Sequence, residues 1–395
     1  MSLEIGKIKK IPIKLHFTLI IVFFLISWTL ASGFMPRYFP DLADTQYWIM
    51  GIIGAIVLFV SVLLHELSHS LLSIRYGIQV NQIILFIFGG VSDIKEETKD
   101  FRKEFNIAVV GPLTSYALSG LFWILFITIS YIGDTIQKNE GVNYLILLEG
   151  ILLYSSIINL IVGTFNLIPA FPLDGGRMLR AGLTKWKKDF DQSTRIASKI
   201  GIGISFGIMG LGFIAILKGA FLGGFWLFII GWFLNSGAQT YLQQNELSSK
   251  IKGIKLKELM NPNFIAVKPD LKISDLITNY FNLYWKSAFP VVNDNNQLVG
   301  MITTETIFKK DRKEVENKKV EELMIPLSEV IVMNENKEAN DALIQLFRKG
   351  MSRIFIVDND SRLLGLVSKT DIINLAKERD EFMQTTKKMK HIDTS

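Results

Sequence analysis

At 395 residues, with 49% hydrophobic content and 28 phenylalanines, the chain carries an apolar load that points to a membrane protein of two or three domains. It has no cysteine, which excludes disulfides and thiolate metal sites, so any metal falls to its four histidines and its carboxylates. The net charge of +6 sits mostly beside apolar runs, where it reads as membrane topology and not as nucleic-acid binding.

Four lysines (Lys7, Lys9, Lys10, Lys14) precede the first apolar run, and no small-residue cleavage site follows it, so a retained first span is expected. Crossing a bilayer takes about 20 apolar residues of helix. Six stretches qualify: Leu15 to Phe34, Trp48 to Tyr76, Ile107 to Ile132, Tyr144 to Ile168, Ile196 to Leu217 and Phe221 to Leu242. Lys and Arg gather before the first span, between the second and third, and between the fourth and fifth. The alternate loops hold one each, Arg37, Lys138 and Lys218. By the positive-inside rule the N-terminus, the C-terminus and everything after the sixth span face the cytoplasm.

Between the second and third spans, "VNQIILFIFGGVSDIKEE" is β-branched and aromatic from Val80 to Phe88 and reads as a strand, with Gly89 and Gly90 as a turn and Val91 to Ile94 returning. It is either a hairpin at the membrane surface or a strand pair that merely joins two helices. After "YLQQNELSSKIKGIK" the apolar runs shorten, charges become frequent, and an internal repeat begins. "SAFPVVNDNNQLVGMITTETI" is echoed by "SRIFIVDNDSRLLGLVSKTDI", Gly300 aligning with Gly365. Each copy reads as a short strand, a helix, two strands joined by an Asn/Asp turn, and a closing helix. A repeat this short buries its apolar face best against a twin. The expected division is a six-span unit over 1–245, a linker over 246–254, repeats over 255–312 and 318–380, and a polar tail over 381–395.

The stretch "LLHELSHSLL" concentrates the chemistry. His65 and His69 are four apart, so on a helix they share one face a turn apart, the spacing a single metal ion requires. Glu66 completes H-E-x-x-H, in which the glutamate serves as general base of a zinc hydrolase. Ionisable residues at membrane depth cost roughly 2.5 to 3.5 kcal/mol each on insertion scales, and such placements mark function. Ten residues separate His65 from Arg75, or about 15 Å of helix, which puts the motif inside the hydrocarbon and open toward the cytoplasm. A catalytic zinc takes three protein ligands and an open position. In "NLIPAFPLDGGRMLR", Pro169 and Pro172 break the helix and Asp174 follows; on the residues alone it is either the third ligand or the N-cap of a helix starting near Arg177. His16 and His391 read as anchoring or solvent-facing. The rival class is a transporter or channel whose histidines and Asp174 line an ion path; Glu66 beside an on-pitch histidine pair is what a hydrolase needs and an ion path does not.

"HELSH", "NIAVVGPLTS" and "NLIPAFPLDGGR", in this order on the second, third and fourth spans, resemble the site-2 proteases, intramembrane zinc metalloproteases, and the repeats resemble cystathionine β-synthase (CBS) domains. The resemblance covers nearly the whole chain. It implies a polytopic α-helical membrane domain with a small β-hairpin at the membrane edge, followed by a cytoplasmic α/β CBS pair. It implies one Zn2+ held by His65, His69 and Asp174, with Glu66 as catalytic base, and a transmembrane protein as substrate. Asn166 matches a position that orients substrate; Gly111 and Pro112 match a Gly-Pro pair, and Ser115 stands where the family often has asparagine. A helical substrate must unwind before cleavage, and an exposed strand edge at Val80 to Phe88, with Gly89 and Gly90, is expected to hold it by strand addition. In the repeats, a Ser/Thr and an Asp three residues on contact an adenine nucleotide. Ser368 and Asp371 keep both, whereas Thr303 is followed by Thr306 in place of the Asp. The CBS pair is expected to regulate the enzyme or to join it into a homodimer.

Overall fold

Apolar residues alternating with lysines at the N-terminus build strands before the first span begins. In a computed structural model describing residues 2–87, 89–94, 97–136, 142–309 and 315–379, Ser2–Ile8 (β1) and Ile11–His16 (β2) form an antiparallel hairpin. Lys9 and Lys10 turn it with φ of 47° and 69°, the left-handed pair of a two-residue hairpin loop. Strand β2 then pairs in parallel with Val80–Phe86 (β3), Ile13 opposite Ile83 and Leu15 opposite Leu85. β3 pairs antiparallel with Gly89–Ile94 (β4), giving the order β1-β2-β3-β4. Buried Ile11, Ile83 and Leu85 pack against Leu63 and Leu67 of the helix that carries the histidine pair.

Two expectations change here. Gly89 and Gly90 are not the turn but the first residues of β4, opposite Phe86 and Leu85; the chain reverses just before them. And β3 is paired on both sides, so among the described residues the outer strands of the sheet are β1 and β4. Phe88, Lys138, His391 and the expected tail lie outside the described residues.

Among the described residues five helices are long and apolar enough to cross a membrane: Thr18–Tyr38, Asp44–Arg75, Phe101–Thr135, Tyr144–Asn166 and Phe190–Leu217. The sixth expected stretch is helical too, within Phe221–Lys250, but is not one of the five. Small residues let the spans close on one another: a side chain at Gly51 would strike the Ser27 carbonyl at 2.5 Å, and one at Gly54 would meet Tyr154 at 3.2 Å. After the break at Pro169 and Pro172, a short helix, Asp174–Lys187, packs against the third span.

The chain divides into two units, Met1–Gln243 and Gln244–Ser395. In the second, one three-stranded sheet holds Ala288–Val292 (β5), Leu298–Thr303 (β6) and Ile325–Pro326 (β7); the other holds Val332–Asn334 (β8), Arg353–Val357 (β9) and Leu363–Ser368 (β10). The repeats exchange their beginnings. β7, from the start of the second copy, pairs with β6 of the first, and Asn261, from the start of the first, bridges Leu366 of the second. Gly300 and Gly365 make this crossing possible: a Cβ would meet the Ile325 carbonyl at 2.5 Å or the Asn261 carbonyl at 2.9 Å. Ile251, Ile254 and Leu256 are accordingly buried with Leu343, Ile354 and Val367 of the second copy. The stretch 246–254, expected as a linker, is thus helical to Lys250 and then contributes to a core.

Candidate metal centre

Helical pitch and a helix break bring three donors together. His65 and His69 lie one turn apart on Asp44–Arg75, and both are 3% exposed. Asp174 opens its helix as the first residue after the N-cap Leu173, and its carboxylate turns away from the helix toward the histidines. Asp174 Oδ2 lies 3.1 Å from His65 Nε2 and 3.1 Å from His69 Nε2. The three residues form a buried group able to hold one metal ion. The N-cap alternative is not what the side chain does.

The donor chemistry fits zinc. His69 Nδ1 is 2.6 Å from the Ile107 carbonyl, which can only accept, so Nδ1 carries a proton and Nε2 is the ring nitrogen turned to Asp174. His65 Nδ1 is 2.9 Å from Ser115 Oγ, a hydroxyl able to accept in the same way. Two imidazole Nε2 atoms and a carboxylate then converge, the donor set of a catalytic zinc. Bonds of about 2.1 Å in a tetrahedron would separate neighbouring donors by about 3.4 Å, close to the gaps present. Gly111 completes the fit, since a Cβ there would run into both Nε2 atoms. Ser115 therefore gives its position a polar contact although the asparagine is missing.

Glu66 is half-buried beside β4, where Ser92 Oγ donates to its Oε2 at 2.8 Å. Gly90 lies against the Glu66 side chain, while Asn166, last in Val142–Asn166, donates to its own helix at the Val162 carbonyl, 3.0 Å away. In the second unit the expected nucleotide residues cap helices. Ser368 and Asp371 exchange bonds, Ser368 N to Asp371 Oδ2 at 2.8 Å and Asp371 N to Ser368 Oγ at 3.1 Å. Thr303 and Thr306 do the same in the first copy, so Thr306 can serve the cap although it lacks a carboxylate.

A residue that sequence reasoning passed over supports Asp174. Arg180, 1% exposed, donates through Nε to Glu104 Oε1 at 2.7 Å, pairs with the same oxygen through Nη2, and reaches Glu97 Oε2 through Nη1 at 2.9 Å. Its guanidinium also lies 5.2 Å from the Phe171 ring and 4.6 Å from the Phe190 ring. This pins the Asp174 helix to the start of the third span. The available signal was an arginine six residues after Asp174 and a glutamate opening an apolar span, but both read as membrane-flanking charges.

The chain matches Peptidase family M50 over residues 53–208, which contain the histidine pair and Asp174, and the CBS domain over residues 256–313 and 320–378. It is 32% identical over 377 residues to a zinc metalloprotease of Methanocaldococcus jannaschii, covering 94% of this chain and 95% of that one. Relatives from Synechocystis sp. and Mycobacterium tuberculosis, named provisionally as zinc metalloproteases, are 28% and 26% identical over 374 residues, covering 94% and 95% of this chain and 94% and 92% of theirs. With this similarity running through both units, the chain belongs to peptidase family M50: it is a multi-pass membrane zinc metalloprotease of the site-2 protease type that carries two CBS domains.

Proposed function

We propose that the enzyme hydrolyses a peptide bond within or beside a transmembrane segment of a membrane-protein substrate, with His65, His69 and Asp174 holding the zinc and Glu66 as general base. The observation that carries this reading is the convergence of Asp174 Oδ2 on both Nε2 atoms at 3.1 Å, buried among apolar spans. Bound zinc would polarise the scissile carbonyl and lower the pKa of water toward about 7. Glu66 takes the water's proton as oxygen bonds to the carbonyl carbon, then delivers it to the nitrogen as the C–N bond breaks.

A substrate helix has its carbonyls committed to its own backbone, so the segment must be held extended. The outer strand β4, which runs beside Glu66, suits strand addition, whereas β3 is paired on both sides. Asn166 would orient the substrate by exchanging its bond to Val162 for one to a substrate carbonyl. The distribution of Lys and Arg favours both termini and the CBS pair on the cytoplasmic side. That pair is proposed to bind an adenine nucleotide through Ser368 and Asp371, with Thr303 in the first copy, or to join two copies of the chain. Calorimetric titration with AMP tests the first role: Asp371→Ala should weaken binding, and equal binding would remove the residue from the site.

The decisive experiment reconstitutes wild type and Glu66→Gln in liposomes with a single-span substrate and determines fragment masses. Glu66→Gln should keep one zinc per chain and lose cleavage by about a hundredfold or more. Cleavage at the wild-type rate, or only in the substrate's soluble part, would sink the reading.

A further inference from the structure

Three serines near the base are treated differently by the fold. Mid-helix serines usually turn the hydroxyl back onto their own helix. Ser68 does so toward the His65 carbonyl at 2.6 Å, and Ser73 toward the His69 carbonyl at 2.8 Å. Ser70, fully buried one turn after Glu66, instead leaves its helix and donates to Ser92 Oγ on β4 at 3.1 Å. A hydroxyl has a single proton. With Ser70 donating to it, Ser92 Oγ directs its own proton to Glu66, at 2.8 Å from Oε2 and 3.2 Å from the backbone carbonyl. Gly90, two residues earlier on the same face of β4, leaves the room this needs, because a Cβ there would come within 2.4 Å of Glu66 Cγ.

We infer that Ser92, held by Ser70, is a positioning residue for Glu66, so that β4 sets the aim of the general base. The inference rests on the reading of Glu66 as that base. The bond engages Oε2 and leaves Oε1 as the oxygen that receives the proton. An outer strand of the sheet thus carries the hydroxyl that orients the base, and a substrate strand pairing with β4 would be aligned against the same element as Glu66. The hydrogen bond is to a charged acceptor, and its loss should be felt in the chemical step rather than in docking or metal binding.

The test uses the full chain in liposomes with a cleavable single-span substrate, comparing wild type, Ser92→Ala, Ser92→Thr and Glu66→Gln. Ser92→Ala should lower kcat about ten- to a hundredfold, with KM within about twofold and zinc still at one per chain, and Ser92→Thr, which keeps the hydroxyl, should recover most of the loss. If Glu66→Gln is inactive while Ser92→Ala keeps the wild-type kcat, the positioning role alone is wrong. A Ser92→Ala defect confined to KM, or accompanied by zinc loss, would make Ser92 a docking or structural residue and overturn the inference. If Glu66→Gln cleaves like wild type, the base assignment fails and this inference with it.

Discussion

Two buried polar clusters share the helix Asp174–Lys187 and are completed in opposite ways. At its start Asp174 faces two histidines, all three residues offering donor atoms to one point. Six residues on, about 9 Å along the axis, Arg180 supplies its own cation to Glu104 and Glu97 and is flanked by two aromatic rings. The second cluster finds its cation within the chain, and the first offers its donors to a cation from outside. Both consist of ionisable residues in an apolar setting, so residue type does not separate a catalytic centre from a structural pin. What separates them is whether the charges close on each other.

The largest effect should come from opening the first cluster. Asp174→Ala is expected to abolish cleavage and to lower zinc affinity by more than the roughly ten- to hundredfold typical of losing a supporting hydrogen bond. Competition with a chromogenic chelator measures it, and zinc held at wild-type affinity would remove Asp174 from the ligand set. Next comes the pin. Arg180→Met leaves two carboxylates without their cation and should destabilise the protein by about 3–5 kcal/mol, read from unfolding in detergent. Adding Glu104→Leu should recover part of that, because the orphaned charge goes too; no recovery would mean that the rings, rather than the ion pairs, hold Arg180.

The smallest effect concerns Glu97, 49% exposed at the edge of the pin. Burial pushes its carboxyl up, but the charges of Arg180 and Arg177 and the hydrogen bond from Arg180 outweigh this and hold it below the ordinary value of 4.5. Its folded pKa is depressed, so its contribution to stability is present above pH 4.5 and is lost as pH falls through the folded value. Wild type should therefore lose slightly more stability than Glu97→Gln between about pH 5 and 3, measured as melting temperature. Identical acid profiles would show that solvent screens the pair completely.

Much of the site is visible in the chain because its geometry is local. His65, Glu66 and His69 lie within one and a quarter turns, and helical pitch alone aligns the two ligands. Asp174 could be flagged after a double proline break, but cap and ligand have the same local signature, and only the direction of the carboxylate decides between them. The N-terminal hairpin went unread, because its lysines also suit a membrane flank and charge counting hides the apolar alternation from Leu3 to Leu15. For the same reason Arg180 and Glu104 pass as topology markers until their pairing is seen. In the C-terminal unit the repeat and its glycines can be read directly, whereas the exchange of beginnings between copies cannot, because aligned residues do not say which twin they pack against.

Alone, the sequence determined the helices, the metal-binding motif, the repeat and the family resemblance, all of which follow from periodicity and spacing over a few turns. Tertiary structure decided which strands lie at the outside of the sheet, that Ser115 and Ile107 meet the histidines, that Ser92 donates to Glu66, and that Arg180 anchors the helix of Asp174. These side-chain contacts join residues 26 to 76 positions apart, through hydrogen bonds whose partners are chosen by how the elements pack. Packing depends on the shape of the whole unit, which no short window of sequence contains.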